Sequence, residues 1–372
     1  IDGALSISQL IQQLRGEGVK RIALVSNQPD QYRGQFSAVA GVTLHHRDEL
    51  DALQRALRDY SGCSVLIYQQ ACAAEKRRKR KQSTVSHRPR RIIIHEEICE
   101  GCGDCSAQSN CLSVLPKATP LGRKRQIDQH SCNLDYSCVS GFCPSFVSVL
   151  NAVPKQRAPQ DDAEILFEPL PAVQLPDLSR PWNTVVAGIG GTGVLTVTAL
   201  IAMAAHIEGK GCATLNQTGL AQKFGAVVSH VRIAQQQDDI KAVRVPAGEA
   251  DLLLGCDLVV STGYDTMGKT AIGRTQAIIN DAALPTAAFI HDPDAELPTA
   301  AMRAHVEEQT GTENVLFVNA TKIAESLLGD SLYVNLFLLG VAFQQGQVPV
   351  SDAALNAAIE LNGKSISGNQ KA

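Results

Sequence analysis

With 372 residues, 34 basic and 37 acidic side chains, a formal net charge of -3 and 44% apolar content, the chain has the composition of an ordinary globular protein of two or three domains. That balance argues against a nucleic-acid partner, and no run reaches the roughly 18 to 20 uninterrupted apolar residues that span a bilayer, so no membrane association is expected. Eleven cysteines would suit a disulfide framework, but seven fall between 99 and 143 while the rest reads as ordinary α/β sequence. Such clustering favours metal in a reducing cytoplasm. Ile1 opens the chain with neither an initiator Met nor a signal-peptide pattern, so a longer parent polypeptide is expected.

The overall class expected is α/β in three parts. Residues 1–85 predict helix, strand, helix, strand at 8–15, 21–26, 47–58 and 63–68. The strands are short apolar runs, Ile22-Ala23-Leu24-Val25 and Val65-Leu66-Ile67, as parallel strands covered on both faces require. This segment reads as the tail of an α/β domain whose upstream strands are missing. A basic run from Lys76 to Lys81, with Arg88, Arg90 and Arg91, is either a patch for an anionic partner or a solvated helix end and linker. Without interleaved aromatic residues to stack a base, the solvated state is favoured. Basic side chains here would also suit steering of an acidic redox protein.

Residues 92–150 carry the strongest signal. Cys99, Cys102 and Cys105 put three thiols on one tight loop, the way ferredoxin-type proteins hold three irons of a cubane cluster, with Gly101 and Gly103 letting the loop turn. Two-cluster ferredoxins take the fourth ligand from the distant Cys-Pro of the second motif, and Cys143-Pro144 fills that place. A structural zinc site, which would show two separated C-x2-C pairs, is the weaker alternative. The second half departs from the regular pattern. Cys132, Asp135 and Cys138 keep the spacing with a carboxylate where the middle thiol belongs, and Cys111 supplies the cross-over ligand after a longer loop. Either Asp135 binds iron, or it is a surface turn residue and the site holds a three-iron cluster or a four-iron cluster with an outside ligand. Residues 122–128 read as a hairpin return whose charges are solvated.

A proline-rich linker, 151–181, leads to a Rossmann-like domain at 182–372. There an apolar strand from Trp182 enters a G-x-G-x-x-G turn before a helix, with Gly188, Gly190, Gly191 and Gly193 as candidate cofactor-binding positions. Backbone amides at such a helix start can hold a phosphate, or the glycines only let strand and helix pack closely. The second strand, 212–216, ends without the acidic residue that grips a ribose, which disfavours a nicotinamide cofactor. Gln222 and Lys223, beyond a strand end, are candidates to hydrogen-bond and pair an anion. His230 and Arg232 share one face of the next strand, an exposed one on the simplest view.

Taken together, these motifs resemble the middle of the fused bacterial indolepyruvate:ferredoxin oxidoreductases, within the 2-oxoacid:ferredoxin oxidoreductase family. The residues that carry the resemblance are Glu100-Gly101-Cys102-Gly103-Asp104-Cys105, Gly141-Phe142-Cys143-Pro144, Gly188 to Val194, Thr218-Gly219-Leu220-Ala221-Gln222-Lys223 and Ser229-His230-Val231-Arg232. Phe224 stands where that family usually has glycine. Residues 66–72 are similar to the end of the thiamine-diphosphate-binding domain, whose Gly-Asp-Gly motif is absent from this sequence.

The resemblance implies oxidative decarboxylation of an aryl 2-oxoacid to an acyl-coenzyme A, with electrons leaving through two 4Fe-4S clusters to ferredoxin or a similar one-electron acceptor. Thiamine diphosphate and Mg2+ would bind mainly outside these residues, and the remainder of the fused polypeptide would be the closest partner. A homo-oligomer is expected. The piece is expected to be inactive alone, and no catalytic residue is assigned. The competing class is a stand-alone iron-sulfur electron carrier whose Rossmann-like domain docks partners.

Overall fold

The structure is a computed structural model. It describes all residues except 1–4, 37–38, 73–89, 130, 153–169, 220–224, 287 and 293. The chain divides into two compact units, 1–87 and 88–372. The basic run 76–81 and Arg88 lie outside the described residues.

The first unit runs α1 (Ile7–Gly16), β1 (Arg21–Ser26), β2 (Val42–His46), α2 (Leu50–Arg58) and β3 (Ser64–Gln69). Ser6 and Gln9 close a capping box at the start of α1. All three strands are parallel in the order β2-β1-β3. Central β1 alternates cleanly between two cores, Ile22 and Leu24 packing with Ile11, Ala23 and Val25 with Leu53. Strand β2 is absent from the sequence expectation, which placed a helix directly after β1. As an edge strand it needs one apolar face, and Val42, Leu44 and their polar neighbours make no continuous apolar run.

The second unit begins with β4 (Arg91–Ile94), α3 (Asp104–Ser109), β5 (Val114–Thr119), β6 (Gly122–Ile127) and β7 (Phe146–Val149). Strands β4 and β7 pair antiparallel, as do β5 and β6, which form the expected hairpin. The expectation that the hairpin's charges are solvated fails at Arg125, which is 1% exposed. Arg123, Arg125 and Ile127 share one face of β6 by strand alternation, and Ile127 packs into the small core of Cys105, Val114 and Cys138.

The larger part comprises β8 (Trp182–Ile189), α4 (Val194–Ile207), β9 (Gly211–Thr218), β10 (Ala226–Ala234), β11 (Leu252–Gly255), α5 (Leu258–Ser261), α6 (Tyr264–Met267), β12 (Gln276–Asn280), α7 (Ala288–His291), α8 (Thr299–Thr310), β13 (Val315–Val318), α9 (Ala320–Leu327), α10 (Val334–Gln344), α11 (Asp352–Asn362) and α12 (Ile366–Lys371). Its six-stranded sheet has the order β13-β12-β11-β8-β10-β9. Strands β8, β11, β12 and β13 are parallel, whereas β10 runs antiparallel to both β8 and β9. The sheet is therefore mixed, and β10 occupies the place beside β8 that a Rossmann-like sheet gives to the second strand. Strand β8 is covered on both faces: Val186 faces α4, α10 and α11, while Val185 and Ala187 pack with Leu253, Leu258 and Val306. Buried Asp251 anchors the entry of β8, taking the Asn183 amide at 2.8 Å, two Arg180 nitrogens at 3.1 and 2.7 Å and Arg274 Nε at 3.1 Å.

His230 and Arg232 are buried, contrary to the exposed face expected of β10. Arg232 donates to Asn183 Oδ1 and the Ala242 carbonyl, both at 2.8 Å. The Val245 amide donates to His230 Nδ1 at 3.3 Å, so Nε2 carries the proton toward Gln217 Oε1 at 3.1 Å. Burial, then the positive charges of Lys269 and Arg244, hold the imidazole down at about 4. Below the unfolded value near 6.5 the unfolded chain binds a proton that the fold refuses, so stability falls between pH 6.5 and about 4, by roughly 3 kcal/mol in total. Urea unfolding followed by the fluorescence of Trp182, the sole tryptophan, is expected to show that slope. A His230→Gln variant is expected to flatten it.

Candidate metal centre and glycine loop

The loop carrying Cys99, Cys102 and Cys105 is built by two left-handed glycines, Gly101 at φ 77° and Gly103 at φ 82°. Gly103 caps α3, whose second residue is Cys105. A Cβ on Gly101 would lie 2.4 Å from the Arg123 carbonyl oxygen, so the loop rests directly on the backbone of β6. Cys99 and Cys105 are buried and Cys102 is exposed. The Gly101 amide points at Cys99 Sγ at 3.4 Å, a donor aimed at a sulfur. Cys143 Sγ lies 3.0 Å from Ser145 Oγ. Its loop reaches α3 through Gly141, where a Cβ would stand 2.7 Å from Asp104 Oδ2.

Cys111, Cys132, Cys138 and Asp135 form a second electrostatic neighbourhood. Burial, and then the charges of Cys111, Cys132 and Asp135, push the Cys138 thiol up to about 11. Cys132 is raised by burial first and also feels Cys111 and Asp135, with Arg91 opposing. Asp135 itself is exposed, and its Oδ1 accepts from the Ser137 amide and hydroxyl at 3.4 and 3.2 Å. It thus serves as a turn residue while its charge falls on two thiols. Leu134 and Tyr136 flank it with φ of 58° and 62°, a backbone that bulky side chains adopt only when their surroundings impose it.

Among the described residues no three His, Cys, Asp or Glu side chains converge tightly enough to hold a single ion. A cubane makes a different demand, since each thiolate holds its own iron. By chemical type the donors suit that group, four thiols in the first set and three thiols with a carboxylate in the second, on loops whose tightness glycine permits. Cys105, Cys132 and Cys138, raised first by burial, favour protons until a cationic centre displaces them. Cys256, buried after β11 and pushed up to about 12 by burial, belongs to the sheet core.

At the glycine turn the roles separate. Gly188 permits close packing, because a Cβ there would stand 2.7 Å from Val194 Cγ2 and 2.8 Å from Cys256 Cβ. The Gly190 amide is taken by the Gly225 carbonyl at 2.8 Å. Gly191 and Gly193 are left-handed, Gly193 capping α4, and Asn335 Nδ2 donates to the Thr192 carbonyl at 3.1 Å. Gln222 and Lys223 lie outside the described residues.

A mixed α/β domain thus follows a thiol-rich module within one compact unit. The family model described as pyruvate ferredoxin/flavodoxin oxidoreductase matches residues 183–372, half of the chain. The chain belongs to this 2-oxoacid:ferredoxin oxidoreductase family, through the domain at residues 183–372. Similar relatives include the indolepyruvate oxidoreductase subunit IorB of Archaeoglobus fulgidus, 31% identical over 188 residues that cover 49% of this chain and 86% of that protein. That of Thermococcus kodakarensis is 28% identical, covering 49% and 87%. Among solved structures, the pyruvate oxidoreductase subunit PORC of Thermotoga maritima is 17% identical with a TM-score of 0.36, covering 52% of this chain and 93% of that one. Among the described residues no helix is long and apolar enough to cross a membrane.

Arg125 is the residue that sequence reasoning missed. Its signal was present in the period-two pattern that sets it on the face of Ile127. Two glycine substitutions test the local geometry. Gly188→Ala is expected to cost about 1–3 kcal/mol by overpacking, read as a lowered urea midpoint. In metal-free protein, Gly101→Ala is expected to speed alkylation of Cys99 and Cys105 by about tenfold or more, as an opening made easier by about 1.4 kcal/mol.

Proposed function

We propose that this chain is the electron-transferring part of an indolepyruvate-type or other arylpyruvate:ferredoxin oxidoreductase, in which a 2-oxoacid is oxidatively decarboxylated to an acyl-coenzyme A. Two iron-sulfur clusters are held by Cys99, Cys102, Cys105 and Cys143, and by Cys111, Cys132 and Cys138 with Asp135 beside them. The observation that carries this is the presence, in one compact unit, of the family-matched domain and seven clustered thiols. The relatives' name, indolepyruvate oxidoreductase, supports the substrate class.

Decarboxylation of a 2-oxoacid leaves an electron-rich product that must give up two electrons. Clusters held by these thiols would supply one-electron chemistry, which suits a one-electron acceptor. This chain's own residues supply the thiolates, the amide aimed at Cys99 sulfur and the packing that keeps Cys99, Cys105 and Cys138 from water. Phe142, 99% exposed beside Cys143, offers an acceptor an apolar contact next to a ligand. Thiamine diphosphate and its Mg2+ would belong to a domain outside these residues, and the glycine turn at 188–193 is a site for the coenzyme A phosphates.

The intact protein is expected to reduce a viologen dye only when an arylpyruvate and coenzyme A are both present, and Cys102→Ser is expected to bring that rate to background. Reduction of the clusters without any 2-oxoacid turnover would contradict the enzyme and leave an electron carrier.

A further inference from the structure

The buried guanidinium of Arg125 belongs to neither the ligand set nor the glycine turn. It is 1% exposed, an unusual place for a charge that does not titrate in proteins. Four observations place it between the cysteine loop and the sheet domain. Its Cζ lies 4.5 Å from the centre of the Phe289 ring on α7, with Arg123 at 5.3 Å from the same ring. Helix α3, which carries Cys105, packs against α7. The loop at Gly101 rests on the Arg123 carbonyl, one step along the same strand face. Arg123 also donates to the Ala295 carbonyl at 2.9 Å, fixing the strand to the segment after α7. Ile127, the next residue on that face, packs against Cys105, and the guanidinium charge reaches the Cys105 thiol.

From this arrangement we infer that Arg125 is a positioning residue for electrons: it holds the 99/102/105/143 cluster at the higher reduction potential of the two, so electrons collect there. The inference rests on the cluster assignment above. Adding one electron adds one unit of negative charge to a cluster. A fixed cation in a water-poor site stabilises that charge far more than an exposed one would, and Phe289 covers the cation while stacking on it. The other site carries the opposite bias, because the charged group on its loop is a carboxylate, Asp135, set between Cys132 and Cys138 with its Oδ1 on the Ser137 amide at 3.4 Å. Because Phe289 and Ala295 belong to the sheet domain, that domain sets the direction in which electrons run through the module.

The test is an EPR-monitored redox titration of the intact, cluster-loaded protein, the cluster at issue being the one whose signal Cys102→Ser removes. At the wild-type midpoint of that cluster, Arg125→Met is expected to lower the reduced-to-oxidised ratio about tenfold or more, equivalent to about 59 mV for one electron. The second cluster should stay unchanged. Arg125→Lys, which keeps the charge, should stay within about threefold of wild type, equivalent to less than about 30 mV. Should Arg125→Met lose iron, Phe289→Ala decides, since it retains the charge but admits water around it, and is expected to shift the same cluster in the same direction by less. An unchanged midpoint in both variants, with iron content intact, would overturn the inference alone. Wild-type protein without clusters would overturn the cluster assignment and this inference with it.

Discussion

The stacking of Arg123 and Arg125 on Phe289 is the contact on which the second unit is organised. It joins a small module with little core of its own to a domain with a large one. The module's own apolar cluster amounts to Cys105, Val114 and Cys138 with a few partly buried neighbours, which is little to offset the ordering of some sixty residues at about 1–2 kcal/mol each. Desolvating a guanidinium is costly unless something replaces water. Here the ring face and the Lys124 carbonyl at 3.3 Å do so.

A second constraint is the crowding of groups that become negative together. Burial, and then the charges of Cys111 and Asp135, raise the proton affinity of Cys132 and Cys138, so these two thiols hold their protons when the site is empty. A centre of positive charge reverses that preference, which couples binding to folding of the loops. The left-handed backbone at Leu134 and Tyr136 fits the same picture. A loop held in sparsely populated conformations persists where its surroundings over-determine it.

Much of this was legible in the sequence. Cysteine spacing and the glycines between them announced the tight loop, the apolar run from Trp182 into Gly188 announced β8 and its turn, and residues 122–128 announced the hairpin. What stayed hidden was set by tertiary pairing. Strand β2 is an edge strand with too few apolar residues to signal itself. Strand β10 inserts beside β8, and no local pattern reports which strand a neighbour will be. His230, Arg232 and Arg125 look like surface residues in one dimension, yet each finds partners brought from far along the chain: Gln217, Asn183 and Phe289. A polar residue's burial is decided by whether such partners arrive, and composition carries no record of that.

The most direct measurement is iron, acid-labile sulfide and zinc content, with EPR of the reduced state, on anaerobically purified intact protein. About eight irons per chain with matching sulfide are expected if both sites are cubanes, or about seven if the site beside Asp135 holds three irons, with two interacting reduced-cluster signals. Zinc without acid-labile sulfide, or thiols free to alkylate in the purified protein, would contradict it.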